Sequence, residues 1–170
     1  MEDDHTETTG LESREPTVQD LVELCRRLNT SGARYVVIGG FAIRAAGYDR
    51  RTMDIDLLIE VGPENEQRVF EGMDHLPDRA VRALTPGEVA EYVVVRVADE
   101  IVVDLMGSAS GFDYLAASRE VVTHEVDGVP IPFASPQLLW RMKRESMRAK
   151  DAPDRHFLRL LLERMGEPLE

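Results

Sequence analysis

The sequence predicts an α/β (α+β) fold, a mixed β-sheet flanked by helices. Two observations carry that prediction: short β-branched runs alternate with segments of helical period, and in two places one β run follows another directly. A third sets the size, because 170 residues at 43% hydrophobic and 31% charged are enough for one domain with its own core. Residues 16–170 are expected to form that domain. Residues 1–15 hold six acids against one base, Arg14, and are expected to form a disordered acidic tail.

Thr17 can cap a helix that carries Leu21, Leu24, Cys25 and Leu28 at helical spacing, and the SGAR stretch at 31–34 ends it. YVVI at 35–38 reads as a short strand closed by Gly39 and Gly40, and 41–47 as a short helix ending at Gly47. RTMDIDLLIEV at 51–61 is the next strand. The helix that opens at Pro63 has acids in its first turn and an apolar stripe of Val69, Phe70 and Met73. EYVVVRV at 91–97 and EIVVDLMG at 100–107 read as two strands joined by a tight hairpin at Ala98-Asp99, with Val102, Asp104 and Met106 on one face of the second. GFDYLAAS at 111–118 is a short helix, and 121–133 a hairpin turning at Asp127-Gly128. Ser135 as N-cap and Pro136 at the first position open a helix in SPQLLWRMKRESMRAK, 135–150, and a last helix spans about 153–164.

The net charge of −12 argues against a protein that coats nucleic acid through a basic surface. The charge is uneven, however. Between Gln137 and Arg164 eight bases meet four acids, a local excess of +4 that suits either an anionic ligand or the solvated faces of two surface helices. Cys25, the single cysteine, falls in a helical apolar pattern and is expected in the core, which excludes disulfides and a cysteine-based zinc site. His5, His75, His124 and His156 show no paired ligand spacing, and neither GxxxxGK[ST] nor a kinase HRD or DFG set occurs. No run of about 18 apolar residues is present, and the N-terminus lacks the basic and apolar regions of a signal peptide, so a cytoplasmic protein without membrane contact is expected.

Within RTMDIDLLIE, Asp54 and Asp56 share one strand face while Ile55, Leu57 and Ile59 take the other. Two adjoining buried carboxylates need a counter-charge, and a cation is the obvious one; a solvated strand end is the plain alternative. Asp104 is a third acid set among apolar residues on a later strand. Gly39 and Gly40 allow the backbone to come close to a ligand, and the start of the following helix offers free N–H groups to an anion.

The double glycine, the Asp54/Asp56 pair and the later Asp104, in that order, resemble the polymerase-β-like nucleotidyltransferase superfamily, and the resemblance runs from Tyr35 onward. More narrowly, RxTxDID (Arg51, Thr52, Asp54, Ile55, Asp56) and the later run of Lys143, Arg148, Lys150, Asp151 and Asp154 resemble the small bacterial nucleotidyltransferases that include the AbiEii-type toxin components. Gly40 stands where many relatives carry serine, so backbone N–H groups must replace that hydroxyl.

The resemblance implies a nucleotidyltransferase fold and the Mg2+- or Mn2+-dependent transfer of a nucleoside monophosphate from an NTP to a hydroxyl of an RNA, tRNA included, or of a protein, with release of pyrophosphate. It implies that Asp54, Asp56 and Asp104 hold the metal and carry catalysis, with two ions ~4 Å apart. Nucleotide binding falls to Gly39, Gly40, Arg51, Thr52, Lys143, Arg148 and Lys150. Lys143 is the first choice for the β- and γ-phosphates, and Lys143, Met147 and Lys150 recur at helical spacing, as if on one helix face. Arg51 and Thr52 either touch phosphate, orient the carboxylates or form a solvated turn. Asp151 and Asp154 either orient Lys150, act as a base or cap the last helix. A toxin–antitoxin role with a cognate antitoxin follows from the same resemblance. The alternative is a non-catalytic nucleotide-binding or partner-binding module of the same fold.

Overall fold

The structure, a computed structural model, describes residues 12–170. Helix α1 (Val18–Ser31) starts at a reciprocal cap: the Thr17 hydroxyl accepts from Asp20 N, and the Asp20 carboxylate accepts from Thr17 N. Gly32, in the left-handed conformation, ends it, and Leu21, Leu24, Cys25 and Leu28 are buried. Next come β1 (Tyr35–Ile38), α2 (Gly39–Ala45), β2 (Ile55–Ile59) and α3 (Pro63–Met73). After two 3-10 turns the chain forms β3 (Val95–Ala98), β4 (Val102–Met106), the short β5 (Ser108–Ala109) and β6 (Phe112–Asp113), and α4 (Tyr114–Ser118). It closes with β7 (Val121–Val126), β8 (Val129–Ala134), α5 (Pro136–Lys143) and α6 (Ala152–Met165).

Six strands make one mixed sheet in the order β3-β4-β2-β1-β8-β7. Strands β2 and β4 are parallel, as are β1 and β8, and the remaining neighbours are antiparallel. This is the expected mixed sheet flanked by helices. All four residues of β1 are buried, which explains why it reads as an unbroken apolar run. Helices α1 and α3 pack together where Gly72 lies against the Leu28 backbone, and α6 packs on α5 with Leu158 and Leu162 buried. Stacking of Tyr48 on Phe157, 5.1 Å between centroids, ties the loop after α2 to α6.

Three expectations are corrected. Strand β2 begins at Ile55, so Asp54 belongs to a bend just before it. The β3–β4 hairpin turns through 99–101 rather than at Ala98-Asp99, because the buried Asp99 carboxylate accepts the N–H groups of Asp78, Ala80 and Glu100 and anchors the loop there. Helix α5 stops at Lys143, so Lys143, Met147 and Lys150 do not share a helix face: Ser146 turns its hydroxyl to Asp151 and its carbonyl accepts from Arg155, which favours a loop over another helical turn. Ser13 donates to Asp99 O and Arg14 N to Glu100 O; the expected disordered tail at 1–15 lies for the most part outside the described residues. Among the described residues, no helix is long and apolar enough to cross a membrane.

Candidate active site

Strand register builds the site. Ile38 pairs with Asp56, Asp56 with Asp104, and Asp104 with Arg96, so one row of side chains crosses β1, β2, β4 and β3. Cross-strand partners point to the same face, which brings Asp56 and Asp104 together. The bend before β2 adds Asp54. One carboxylate oxygen from each of the three lies within 4.8 Å of the other two. Thr52, buried, sets that bend by donating its hydroxyl to the Asp54 backbone carbonyl.

The paired glycines give the carboxylates room. Gly39 has φ 68°, and a Cβ there would collide with the Asp56 carboxylate; a Cβ at Gly40 would lie 2.6 Å from Thr52 Cβ. Burial, with Asp54 and Asp104 alongside, pushes the Asp56 carboxyl up to about 7. Asp54 is raised as well, first by burial and then by Asp104. Arg96 bridges the group, with Nε 2.9 Å from Asp104 Oδ1 and Nη2 2.9 Å from Asp104 Oδ2 and 3.0 Å from Asp54 Oδ2.

These acids sit in a cleft of about 1170 Å³ whose other walls carry Arg50, Arg51, Arg141, Lys143, Arg144, Arg148 and Lys150. Five of the eight bases counted between 137 and 164 thus line the cleft. Lys143 is held rather than exposed: Nζ lies 2.8 Å from Asp151 Oδ1 and 3.3 Å from Asp154 Oδ2. Asp154, with its side chain 1% exposed, also takes a two-pronged bond from Arg50 at 2.8 and 2.9 Å. Neither acid caps α6 through its side chain, and neither pairs with Lys150 in the way considered from sequence; both position Lys143. Arg148 and Lys150 lie exposed on the rim. Arg51 is exposed too, and pairs with Glu15 at 2.6 Å.

No protein-family model matches the chain, and a search of curated proteins finds no match. Solved structures do. A candidate nucleotidyltransferase of Thermotoga maritima, TM1012, superposes with a TM-score of 0.51 at 17% identity, over 86% of this chain and 92% of that one. An antigenic nucleotidyltransferase-like protein of Paracoccidioides brasiliensis gives 0.52 at 17% identity, over 84% and 74%.

The chain has a nucleotidyltransferase fold. The donors here fit a divalent metal: three carboxylates, hard oxygen ligands, mutually close, with Asp54 and Asp56 held above the usual carboxylate range in a way a cation would relieve. The structure brings Asp54, Asp56 and Asp104 together, and places Gly39, Gly40, Arg51, Thr52, Lys143, Arg148 and Lys150 around the same cleft. Sequence reasoning passed over Arg50 and Arg96. The signal for Arg96 was the hairpin register, which a two-residue turn at Ala98-Asp99 sets wrongly.

Proposed function

We propose that this chain transfers a nucleoside monophosphate from an NTP to an acceptor hydroxyl, with Mg2+ or Mn2+ held by Asp54, Asp56 and Asp104. The observation that supports this most is the placing of three carboxylates on the floor of a cleft whose walls are basic. When bound, the cation neutralises the carboxylates and polarises the α-phosphate. Gly39 and Gly40 keep the floor low, so the triphosphate can lie close to the backbone. Lys143, fixed by Asp151 and Asp154, offers a point charge to the β- and γ-phosphates, and Arg51, Arg148 and Lys150 add charge at the rim that favours departing pyrophosphate. Asp104 takes the proton of the acceptor hydroxyl as its oxygen bonds to the α-phosphorus and the bond from that phosphorus to pyrophosphate breaks.

The basic rim favours an RNA acceptor over a protein one. The sequence resemblance makes a toxin with a cognate antitoxin the biological setting to examine first. The test is incubation with each of the four NTPs, α-labelled, together with Mg2+ and total RNA or protein. Label in the RNA fraction that disappears with Asp56→Asn is the expected result. Tight NTP binding with label in neither fraction would reduce the chain to a nucleotide-binding module of this fold.

A further inference from the structure

We infer that Arg96 is the built-in counter-ion of the carboxylate cluster, seated where a divalent cation belongs and released when one enters. The inference rests on the reading of Asp54, Asp56 and Asp104 as metal ligands. Arg96 occupies both oxygens of Asp104 and one of Asp54 through three hydrogen bonds of 2.9 to 3.0 Å. A metal ligated by Asp104 needs one of those oxygens at about 2 Å and repels a guanidinium in contact with it. The two cations therefore compete for one seat.

The surroundings of Arg96 make it the one that leaves. Its side chain is 59% exposed and it stands on β3, the edge strand, so water can take up the freed guanidinium. Lys143 is the contrast: it is 16% exposed and gripped by Asp151 and Asp154, and it stays. One nearby cation is fixed and the other is releasable. The consequence is an order of binding. A free cation must displace Arg96 and leave it unpaired, whereas a cation arriving on a triphosphate brings anionic oxygens into the cleft that Arg96 also lines. Arg96 thus disfavours metal alone and favours metal with nucleotide.

The test uses Mn2+ alone, by titration calorimetry at pH 8, on the wild type, Arg96→Ala and Arg96→Gln, with circular dichroism to verify folding. Both variants should bind Mn2+ about tenfold more tightly than wild type, the scale of one close charge pair. Arginine side-chain NMR separates release from the mere loss of a nearby charge. In the wild type, the Arg96 Nε–H signal, assigned by its absence from Arg96→Ala, should leave its carboxylate-bonded position as Mg2+ is added. A signal that stays put while the site fills, or variants that bind Mn2+ no more tightly than wild type, would overturn the inference alone. No Mn2+ uptake by any of the three proteins would overturn the metal reading and the inference with it.

Discussion

Asp56 rests against Gly39 so closely that a Cβ on residue 39 would fall 2.9 Å from the carboxylate carbon. Gly39→Ala must therefore move the carboxylate or the strand end, and it also forces φ 68° on a residue with a side chain. The expected cost is about 1–3 kcal/mol of stability. The substitution should also remove the gain in melting temperature that Mg2+ with an NTP gives the wild type, a gain worth roughly 2.7 kcal/mol at a hundredfold excess over Kd. Differential scanning fluorimetry with and without metal and nucleotide measures both effects. A full thermal response in the variant would show that Asp56 need not sit there.

The pH dependence without metal has a definite sign. The folded state keeps the Asp56 proton up to about pH 7, while the unfolded chain releases it near 3.8. Between these values the unfolded state holds fewer protons, so stability falls as pH rises, by on the order of 3–4 kcal/mol from this one group. Asp56→Asn should flatten that slope. Urea unfolding in EDTA at pH 4.5 and 7.5 provides the comparison, and equal slopes in the two proteins would place the strain elsewhere.

Asp154 holds two cations at once, Arg50 and Lys143, from a fully buried position. Asp154→Ala should cost about 3–5 kcal/mol, the range for breaking a buried ion pair. Lys143→Ala should cost less, roughly 1–3 kcal/mol, since Asp154 keeps Arg50 and Asp151 keeps Ser146. Both should weaken NTP binding, read by fluorescence titration beside urea unfolding. If Lys143→Ala leaves nucleotide affinity unchanged, the phosphate-binding role passes to Arg148, Lys150 or Arg51.

Asp104→Asn should abolish transfer while NTP binding persists, because Asp54 and Asp56 still hold the cation that travels with the triphosphate. A group needed mainly in the transition state lowers turnover with little effect on ground-state affinity. The measurement is a single-turnover assay beside titration with a non-hydrolysable NTP. Near-normal transfer would show that the third carboxylate is misassigned. Asp99 is a poor replacement, since its oxygens already take three backbone N–H groups.

The carboxylate cluster was legible in sequence because acids beside apolar strand residues are costly and conspicuous, and period 2 suggests one face for Asp54 and Asp56 even though a bend just before β2 carries Asp54. The element order was legible for a related reason: hydrophobic period, caps such as Thr17 and Ser135, and the glycines at 32 and 128 act locally. Lys143 was legible as a cation but not as a held one. Its partners Asp151 and Asp154 lie beyond a break in the helix, and nothing at helical spacing announces that Ser146 will turn to Asp151.

Arg96 marks the limit most sharply. A two-residue turn at Ala98-Asp99 would set Val93 opposite Asp104, and although Ala-Asp is not a preferred turn pair, the sequence around the turn does not say which register replaces it. Asp99 is instead claimed by the N–H groups of Asp78 and Ala80, which come from another part of the chain, and the turn moves to 99–101. That shift carries Arg96 to Asp104. By itself the sequence determined the order of the main strands and helices and which acids would need a cation, because those follow from side-chain period and the cost of buried charge. Only the tertiary structure decided which cations meet those acids, because strand register and the ends of helices are set by hydrogen bonds between segments far apart in the chain.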